Sequence, residues 1–214
     1  FQALPRIIGK KVKYSEISRE DRSGDLKASL DLLIKARILL PAYHSDSNGV
    51  PLAAEKRDSV YKLYFLDVGL LSYLSGIDWT TIVNTEERVL INEGALAEQF
   101  IAQHLAYHDQ GLEPPELFYW LRESKSQNAE VDFVLSKSQE VIPVEVKAGH
   151  GSTLKSLHQF ISQKKSVRGL RFNLDKPLEQ KVACAVPTQG DSHHKKFSLI
   201  SLPLYLVEEW RRIL

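Results

Sequence analysis

The chain has 214 residues and a formal net charge of +1, and 43% of its residues are hydrophobic and 26% charged. This composition excludes a disordered chain, and the balanced charge excludes a uniformly basic surface of the kind that signals a nucleic-acid partner. We expect a cytoplasmic protein without a membrane partner, because no apolar run approaches the roughly 20 residues that span a bilayer and no signal peptide is present.

The sequence contains one cysteine and no methionine. A single cysteine cannot form an intramolecular disulfide, which suits a reducing compartment, and the apolar run around Cys184 predicts a buried structural thiol. Because the chain begins at Phe1 and lacks methionine, we expect it to be part of a longer protein. Two local basic runs, residues 6–13 and 164–171, are interpreted as solvated faces.

The first 85 residues predict a small winged-helix-like segment. Ser23 can cap one helix, and Asp67 can cap another that stops at Gly76. A polar turn at residues 46–49 separates two strands. The expected helices are 14–18, 25–36 and 68–74, and the expected strands are 38–43 and 60–66. Small helices followed by a hairpin are typical of a winged helix, and the alternative is a helical adaptor that carries a hairpin.

A polar, irregular stretch at residues 78–88 predicts a domain boundary at residues 85–86, so that residues 86–214 form a second domain. Its expected elements are a helix at 92–108, strands at 117–121 and within 130–147, a helix capped by Ser152 or Thr153 that ends near 164, strands at 170–173, 181–186 and 197–202, a loop at 189–196 that contains His193-His194, and a terminal helix from Pro203. This order predicts an α/β fold with a mixed sheet flanked by helices.

The most informative segment is residues 130–147, which predict two strands joined by a polar turn. Side chains alternate along a strand, so Glu145 and Lys147 share a face, and the hairpin can bring Asp132 close to them. Three charges in apolar strands are costly to bury unless they pair or bind something. Pro143 removes a ladder donor from the second strand and indicates a bulge there.

A second unusual feature is an acid on the apolar stripe of a helix. Glu98 lies three and four residues from its apolar neighbours in the predicted helix 92–108. One interpretation is a carboxylate that belongs to the same site as the hairpin charges. The alternative is a glutamate at the edge of the stripe that reaches a basic partner.

The charged residues suit metal-assisted chemistry on phosphate. Oxygen ligands and few histidines favour Mg²⁺ or Mn²⁺ over zinc. An ion held by Asp132 and Glu145 could activate a water, and Lys147 could stabilise the charge that develops on the phosphorus centre. Glu98 could reach the outer shell of the ion or hold Lys147. Because the sequence has no Gly-x-x-x-x-Gly-Lys phosphate loop, we expect no ATP hydrolysis by this chain.

These residues resemble a known pattern. Glu98 in a helix, followed by Asp132 and by Glu145-Val146-Lys147, resembles the PD-(D/E)XK nuclease superfamily. More narrowly, the chain resembles the C-terminal region of a large prokaryotic family of AAA-type ATPases, in which an ATPase module precedes a winged-helix-like segment and a nuclease-like domain of unknown function. The resemblance covers about residues 14–173, on the segments Tyr64–Leu71, Glu93–Phe100, Tyr119-Trp120, Glu130–Phe133 and Val144–Gly149.

The resemblance implies a restriction-endonuclease-like sheet and a role for each charged residue. Asp132 and Glu145 would be metal ligands, helped by the carbonyl of Val146, and Lys147 would be catalytic. Glu98 would be an auxiliary acid. The helix after Lys147 would supply a polar residue, for which Lys155 and Gln159 are the candidates. ATP would bind only to the upstream module, and DNA or RNA, that module and further copies of the chain are the implied partners.

Two functions from different classes remain open. The first is a metal-dependent nuclease-like domain that acts on DNA or RNA, and the retention of all four charged residues favours it. The second is a catalytically silent nuclease fold that serves as a docking module of the ATPase, and the near-neutral charge favours it. A plain winged-helix DNA-binding protein would leave the charged cluster from Asp132 to Lys147 unexplained.

Overall fold

A computed structural model of the chain describes residues 1–77, 93–107, 116–124, 128–149, 154–186 and 193–214. The chain divides into two compact units. The first comprises residues Phe1–Ala42 and Ser59–Glu116, and the second comprises Tyr43–Asp58 and Leu117–Leu214. The expected boundary between residues 85 and 86 lies outside the described residues, so it stays a prediction.

The described residues of the first unit form four α-helices, a short 3₁₀ helix at Leu4–Arg6 and most of a hairpin. The helices are α1 (Tyr14–Ile17), α2 (Ser23–Lys35), α3 (Val68–Leu74) and α4 (Glu93–Tyr107), and the hairpin strands are β1 (Leu39–Ser45) and β2 (Lys56–Phe65). These elements confirm the predicted ones within a few residues at each end.

Two of the three helix signals in this part of the sequence are confirmed. The carboxylate of Asp67 accepts a hydrogen bond of 2.8 Å from the N–H of Leu70 and so caps α3. Gly76 ends the helix with a left-handed φ of 72°, which favours glycine. The predicted cap at Ser23 is wrong, because Ser23 is the first residue of α2 and Arg22 occupies the cap position.

The described residues of the second unit form six further strands and two α-helices. The strands are β3 (Leu117–Arg122), β4 (Ala129–Lys137), β5 (Glu140–Val146), β6 (Arg168–Asn173), β7 (Leu178–Val186) and β8 (His193–Pro203), and the helices are α5 (Lys155–Gln163) and α6 (Trp210–Ile213). A 3₁₀ helix at Leu204–Glu209 precedes α6.

Two expectations for this unit need correction or stay untested. The pair His193-His194 belongs to β8, where it is paired with the end of β7, and not to a loop. Leu154 is the cap residue of α5, while Ser152 and Thr153 lie outside the described residues.

The strands form a mixed sheet in the order β2-β1-β3-β4-β5-β6-β8-β7, in which β1 and β2 are divided between the two units. The strands β3, β4 and β5 are antiparallel neighbours, β6 is parallel to both β5 and β8, and β7 is antiparallel to β8. Helix α5 packs on β4, β5, β7 and β8. The expected α/β class, a mixed sheet flanked by helices, is confirmed.

A smaller expectation, the burial of Cys184, is also confirmed. Cys184 is 2% exposed and packs in an apolar cluster with residues of α5 and β8, and burial raises the pKa of its thiol. It is the buried structural cysteine that the sequence predicted. Among the described helices, none is both long and apolar enough to cross a membrane.

The tip of the β1–β2 hairpin is built into the second unit. Leu52 belongs to an apolar cluster with Trp120 and Phe160. His44 is 4% exposed, its Nδ1 accepts a hydrogen bond of 3.2 Å from the N–H of Leu121, and its ring meets the ring of Tyr119 edge to face. The tip is therefore held by both apolar burial and a directed hydrogen bond.

His44 makes the stability of this unit depend on pH. Burial lowers the pKa of its imidazole below 6.5. The carboxylate of Asp46 acts in the opposite direction and raises the pKa, and the positive charge of Arg57 lowers it further. The unfolded chain therefore binds a proton before the folded chain does as the pH falls. We expect the free energy of unfolding to decrease from about pH 7 to about pH 5, a window above the one in which Asp46, whose pKa is lowered below 3.8, titrates.

Denaturant titrations of the wild type and of His44→Gln at both pH values measure this contribution. Glutamine offers an acceptor to Leu121 and has no proton to gain, so its loss of stability between the two pH values should be smaller. Equal losses in the two proteins would contradict the assignment to His44.

Candidate active site

The candidate site is set by an irregularity in β4. Phe118 of β3 is in register with Val134, whereas Trp120, two residues further, is in register with Val131, three residues back. Strand β4 therefore contains one extra residue between Val131 and Val134, which is where Asp132 lies. A bulge of this kind bends its strand and changes the direction of a side chain.

The bulge is on the opposite strand from the one that the sequence indicated. Pro143 was expected to interrupt β5, but β4 and β5 are in regular register from Phe133–Val144 through Val134–Pro143 to Lys137–Glu140. The parallel ladder with β6 begins at Val144, directly after the proline. Pro143 thus lies before the part of β5 that needs donors on both sides, which explains why the strand tolerates it.

Beyond Phe133 and Val144, a side chain replaces the main-chain ladder. The Oδ2 atom of Asp132 accepts a hydrogen bond of 2.7 Å from the N–H of Val146. On the other edge of β5, the N–H of Lys147 donates to the carbonyl of Phe172 in β6 at 2.8 Å. The end of β5 is therefore fixed from both sides, and the carboxylate of Asp132 is held against it.

Glu145 and Lys147 meet at the same end of β5. The Nζ atom of Lys147 lies 2.5 Å from Oε1 of Glu145, and the two side chains are 30% and 7% exposed. The contact requires that both side chains lie on one face of the strand, as their spacing predicts. An almost buried carboxylate needs such a partner, because the cost of removing its charge from water is large.

A cation on the neighbouring strand was not singled out by the sequence. Arg171 of β6 is in register with Glu145, and Ser201 of β8 is in register with Arg171. The Nε atom of Arg171 donates to Oγ of Ser201 at 3.1 Å. Residues in register on adjacent strands present their side chains to the same face, so these three form a polar row across the sheet. An arginine inside the apolar strand Leu170–Asn173 was the available signal.

The two auxiliary candidates lie on α5. Lys155 is exposed in its first turn, and Gln159 is half-buried one turn later. Neither side chain forms a hydrogen bond or an ion pair in the part of the chain that the structure describes. Of the residues predicted for the site, the second unit thus brings Asp132, Glu145 and Lys147 together, and it attaches neither residue of α5 to them.

The oxygen atoms at this end of the hairpin fit a hard divalent cation that needs only one or two protein ligands. Asp132 and Glu145 supply carboxylate oxygens, and the described residues contain no group of three or more histidine, cysteine, aspartate or glutamate side chains that could hold a metal. Mg²⁺ keeps several waters and is commonly held by one or two carboxylates plus substrate phosphate, whereas structural zinc needs four protein ligands. The residues present therefore fit Mg²⁺ or Mn²⁺ and do not fit zinc.

Glu98 belongs to the first unit, where it has a basic partner. Its Oε1 atom lies 3.1 Å from Nζ of Lys62, and the hydroxyl of Tyr64 donates a hydrogen bond to the same oxygen. Lys62 is completely buried. It lies two residues before Tyr64 in β2, so the two side chains are on the same face of the strand. The alternative interpretation of Glu98, a glutamate that reaches a basic partner, thus describes its contacts within this unit.

The N-terminal segment packs against the same carboxylate. Gly9 adopts a left-handed φ of 72°, and a Cβ atom at this position would lie 3.3 Å from Oε2 of Glu98. Its N–H donates to the carbonyl of Leu63 at 3.1 Å. A side chain at residue 9 would therefore be disfavoured twice, by the backbone conformation and by the close carboxylate.

Two glutamines on α4 were also missed. Gln99 is fully buried and forms two hydrogen bonds with the main chain of Phe65, at 2.8 Å and 2.7 Å. Gln103 accepts from the N–H of Val68 at 2.7 Å and so adds to the cap of α3. Three polar residues at 98, 99 and 103 therefore attach α4 to β2 and α3. Their partners lie more than 30 residues away in the sequence, so no local pattern could indicate them.

The pair of Lys62 and Glu98 predicts strongly coupled mutations. Lys62→Met should lower the free energy of unfolding by about 3 kcal/mol, because it leaves a largely buried carboxylate without its cation. Adding Glu98→Gln to that variant should restore part of the loss. Denaturant titrations of the wild type, the two single variants and the double variant give the coupling free energy. Additive losses would contradict the pairing, and Tyr64→Phe, which removes one hydrogen bond, is the milder control.

Two family models match the chain. One, described as Domain of unknown function (DUF8612), matches residues 1–81, and the other, described as Domain of unknown function (DUF4143), matches residues 93–205. No curated protein and no solved structure matches it. The second match contains Glu98, Asp132, Glu145 and Lys147 and covers more than half of the sequence. The chain therefore belongs to the family described as Domain of unknown function (DUF4143).

Proposed function

We propose that the second unit is a nuclease-like domain that hydrolyses phosphodiester bonds with the help of Mg²⁺ or Mn²⁺. The observation that carries this proposal is the meeting of Asp132, Glu145 and Lys147 where the β4–β5 ladder ends. An acid, an acid and a lysine on the ends of adjacent strands match the resemblance to PD-(D/E)XK nucleases. The proposal extends to the whole family pattern, in which such a domain follows a winged-helix-like segment and an ATPase module.

The three charged residues of the site would have different roles. The carboxylates of Asp132 and Glu145 would hold the cation, which supplies an activated water and neutralises phosphoryl oxygen charge. The ammonium group of Lys147 would donate hydrogen bonds to the oxygens on which negative charge develops. Because Glu145 is nearly buried, its charge acts through a poorly screened environment and would hold Lys147 in position between reactions.

The second candidate is a catalytically silent nuclease fold that docks to the ATPase module. A specific observation favours it, since Lys147 already contacts Glu145 and the carboxylate of Asp132 already accepts a hydrogen bond from the main chain of Val146. A fold that needs these contacts for stability would keep the same residues without any reaction. Metal binding and cleavage separate the two candidates.

Metal binding should depend on the charge of Asp132 and not on its hydrogen bond. Asp132→Asn keeps an oxygen that can accept from the N–H of Val146, so the variant should fold like the wild type while it loses one anionic ligand. We expect calorimetry with Mn²⁺ to show weak binding to the wild type and at least about tenfold weaker binding to the variant. Equal heats in both proteins would remove the metal site.

Cleavage should depend on Lys147. We expect any Mn²⁺-dependent cleavage of linear DNA or RNA to fall by at least about a hundredfold in Lys147→Met, because the charge that stabilises the developing oxyanion is lost. The matched control is Lys176→Met, which removes an exposed lysine of the same unit. Metal binding without cleavage by the wild type would favour the silent docking module, and cleavage that survives Lys147→Met would exclude this site as its source.

A further inference from the structure

A groove of about 550 Å³ lies in the second unit, at the end of the hairpin where β4 turns into β5. Its walls are the hairpin tip at residues 47–49, the turn at residues 137–141 and the segment 165–168 that leads into β6. None of the contacts of the candidate active site uses this groove. It also contains part of the basic run at residues 164–171, for which the proposed function gives no role.

The groove carries an excess of positive charge. Its ionisable side chains are those of Lys137, Lys165, Arg168 and Glu140. Arg168 pairs with Glu140 at 2.9 Å and also donates a hydrogen bond to the carbonyl oxygen of Leu214, which lines the groove as well, so the charges of Arg168 and Glu140 are already matched. The two lysines remain. Lys137 uses one of its three donors on the carbonyl of Arg211, and Lys165 is exposed and forms no hydrogen bond or ion pair with any described residue.

A further lysine holds one wall of the groove in place. Lys164 donates to Oδ1 of Asn48 at 2.8 Å, while Glu55 accepts from both the main-chain N–H and the side-chain amide of Asn48, at 2.8 Å and 2.9 Å. Ser166 is 2% exposed and donates to the carbonyl of Val141 at 2.7 Å. The walls are thus tied to one another, and the groove exists before a ligand arrives, which lowers the entropic cost of binding.

The groove and the candidate active site lie at opposite ends of the same two strands. Lys137 comes five positions after Asp132 in β4, and Glu145 comes four positions after Val141 in β5. At about 3.3 Å per residue these separations are about 13–17 Å. One strand of a nucleic acid advances by about 3.4 Å per nucleotide along a duplex axis, so the distance corresponds to four or five nucleotides.

We propose that this groove binds the phosphodiester backbone of a nucleic acid, four to five nucleotides from the bond that the candidate site would cleave. The spacing of four to five nucleotides rests on the proposed function, whereas the choice of ligand rests on the charge of the groove. The substrate is then a polymer that reaches both ends of the hairpin. The balanced net charge of the chain is compatible with this, because the excess charge is local.

Fluorescence anisotropy with labelled single- and double-stranded oligonucleotides of about 20 nucleotides tests the groove in the presence of Ca²⁺. The full chain is compared with Lys137→Glu/Lys165→Glu and with the double control Lys176→Glu/Lys181→Glu, which reverses two exposed charges of the same unit. We expect the groove variant to bind at least about tenfold more weakly and to lose about two from the salt-dependence slope. The control should bind within about twofold of the wild type.

Length provides a second readout. Affinity of the wild type should rise between oligonucleotides of about four and about eight nucleotides, and the groove variant should lack this rise. Equal weakening in the groove and control variants, or no detectable binding by the wild type, would overturn the groove. Loss of cleavage in Asp132→Asn together with unchanged binding by the groove variant would leave the proposed function standing without the groove. Binding through the groove in a protein that takes up no metal would do the reverse.

Discussion

The hydrogen bond from the N–H of Val146 to the carboxylate of Asp132 is the interaction on which the second unit's site depends. One extra residue in β4 ends the regular ladder with β5, and a buried main-chain donor without a partner is costly. The aspartate satisfies that donor, and in doing so it is held beside Glu145 and Lys147. This one hydrogen bond thus completes the pairing of β4 with β5 and also positions Asp132 near the other two charged residues. The fold of the hairpin is therefore linked to any chemistry that it performs.

Much of the fold follows from local signals in the sequence. Apolar spacing of 3.6 and 2 residues located the helices and strands, and Asp67 and Gly76 marked α3 because a cap and a left-handed glycine act within one turn. Apart from the cap at Ser23, which was misplaced by one residue, what could not be predicted depended on distant partners. The bulge lies opposite the proline that suggested one, because register is decided between strands. The burial of Lys62 depends on α4, because Glu98, 36 residues later in the sequence, supplies its partner.

The two charged clusters solve the problem of buried charge in different ways. In the first unit, Lys62 and Tyr64 both direct their donors at one oxygen of Glu98. In the second unit, Lys147 is more exposed than its partner Glu145. If the two side chains separate, the ammonium group can therefore move into solvent while the carboxylate stays nearly buried. The first arrangement suits a permanent structural role, and the second suits a pair that must rearrange.

The division of the β1–β2 hairpin between the units has a consequence for how the chain is made. Residues 43–58 leave the ribosome long before β3, β4 and α5, yet Leu52 packs against Trp120 and Phe160 of those later elements. During synthesis the tip must wait, with His44 and Leu52 exposed to solvent, until about a hundred further residues have appeared. The second unit can therefore close only late, and interrupted synthesis would leave Leu52 exposed for chaperones or other chains to bind.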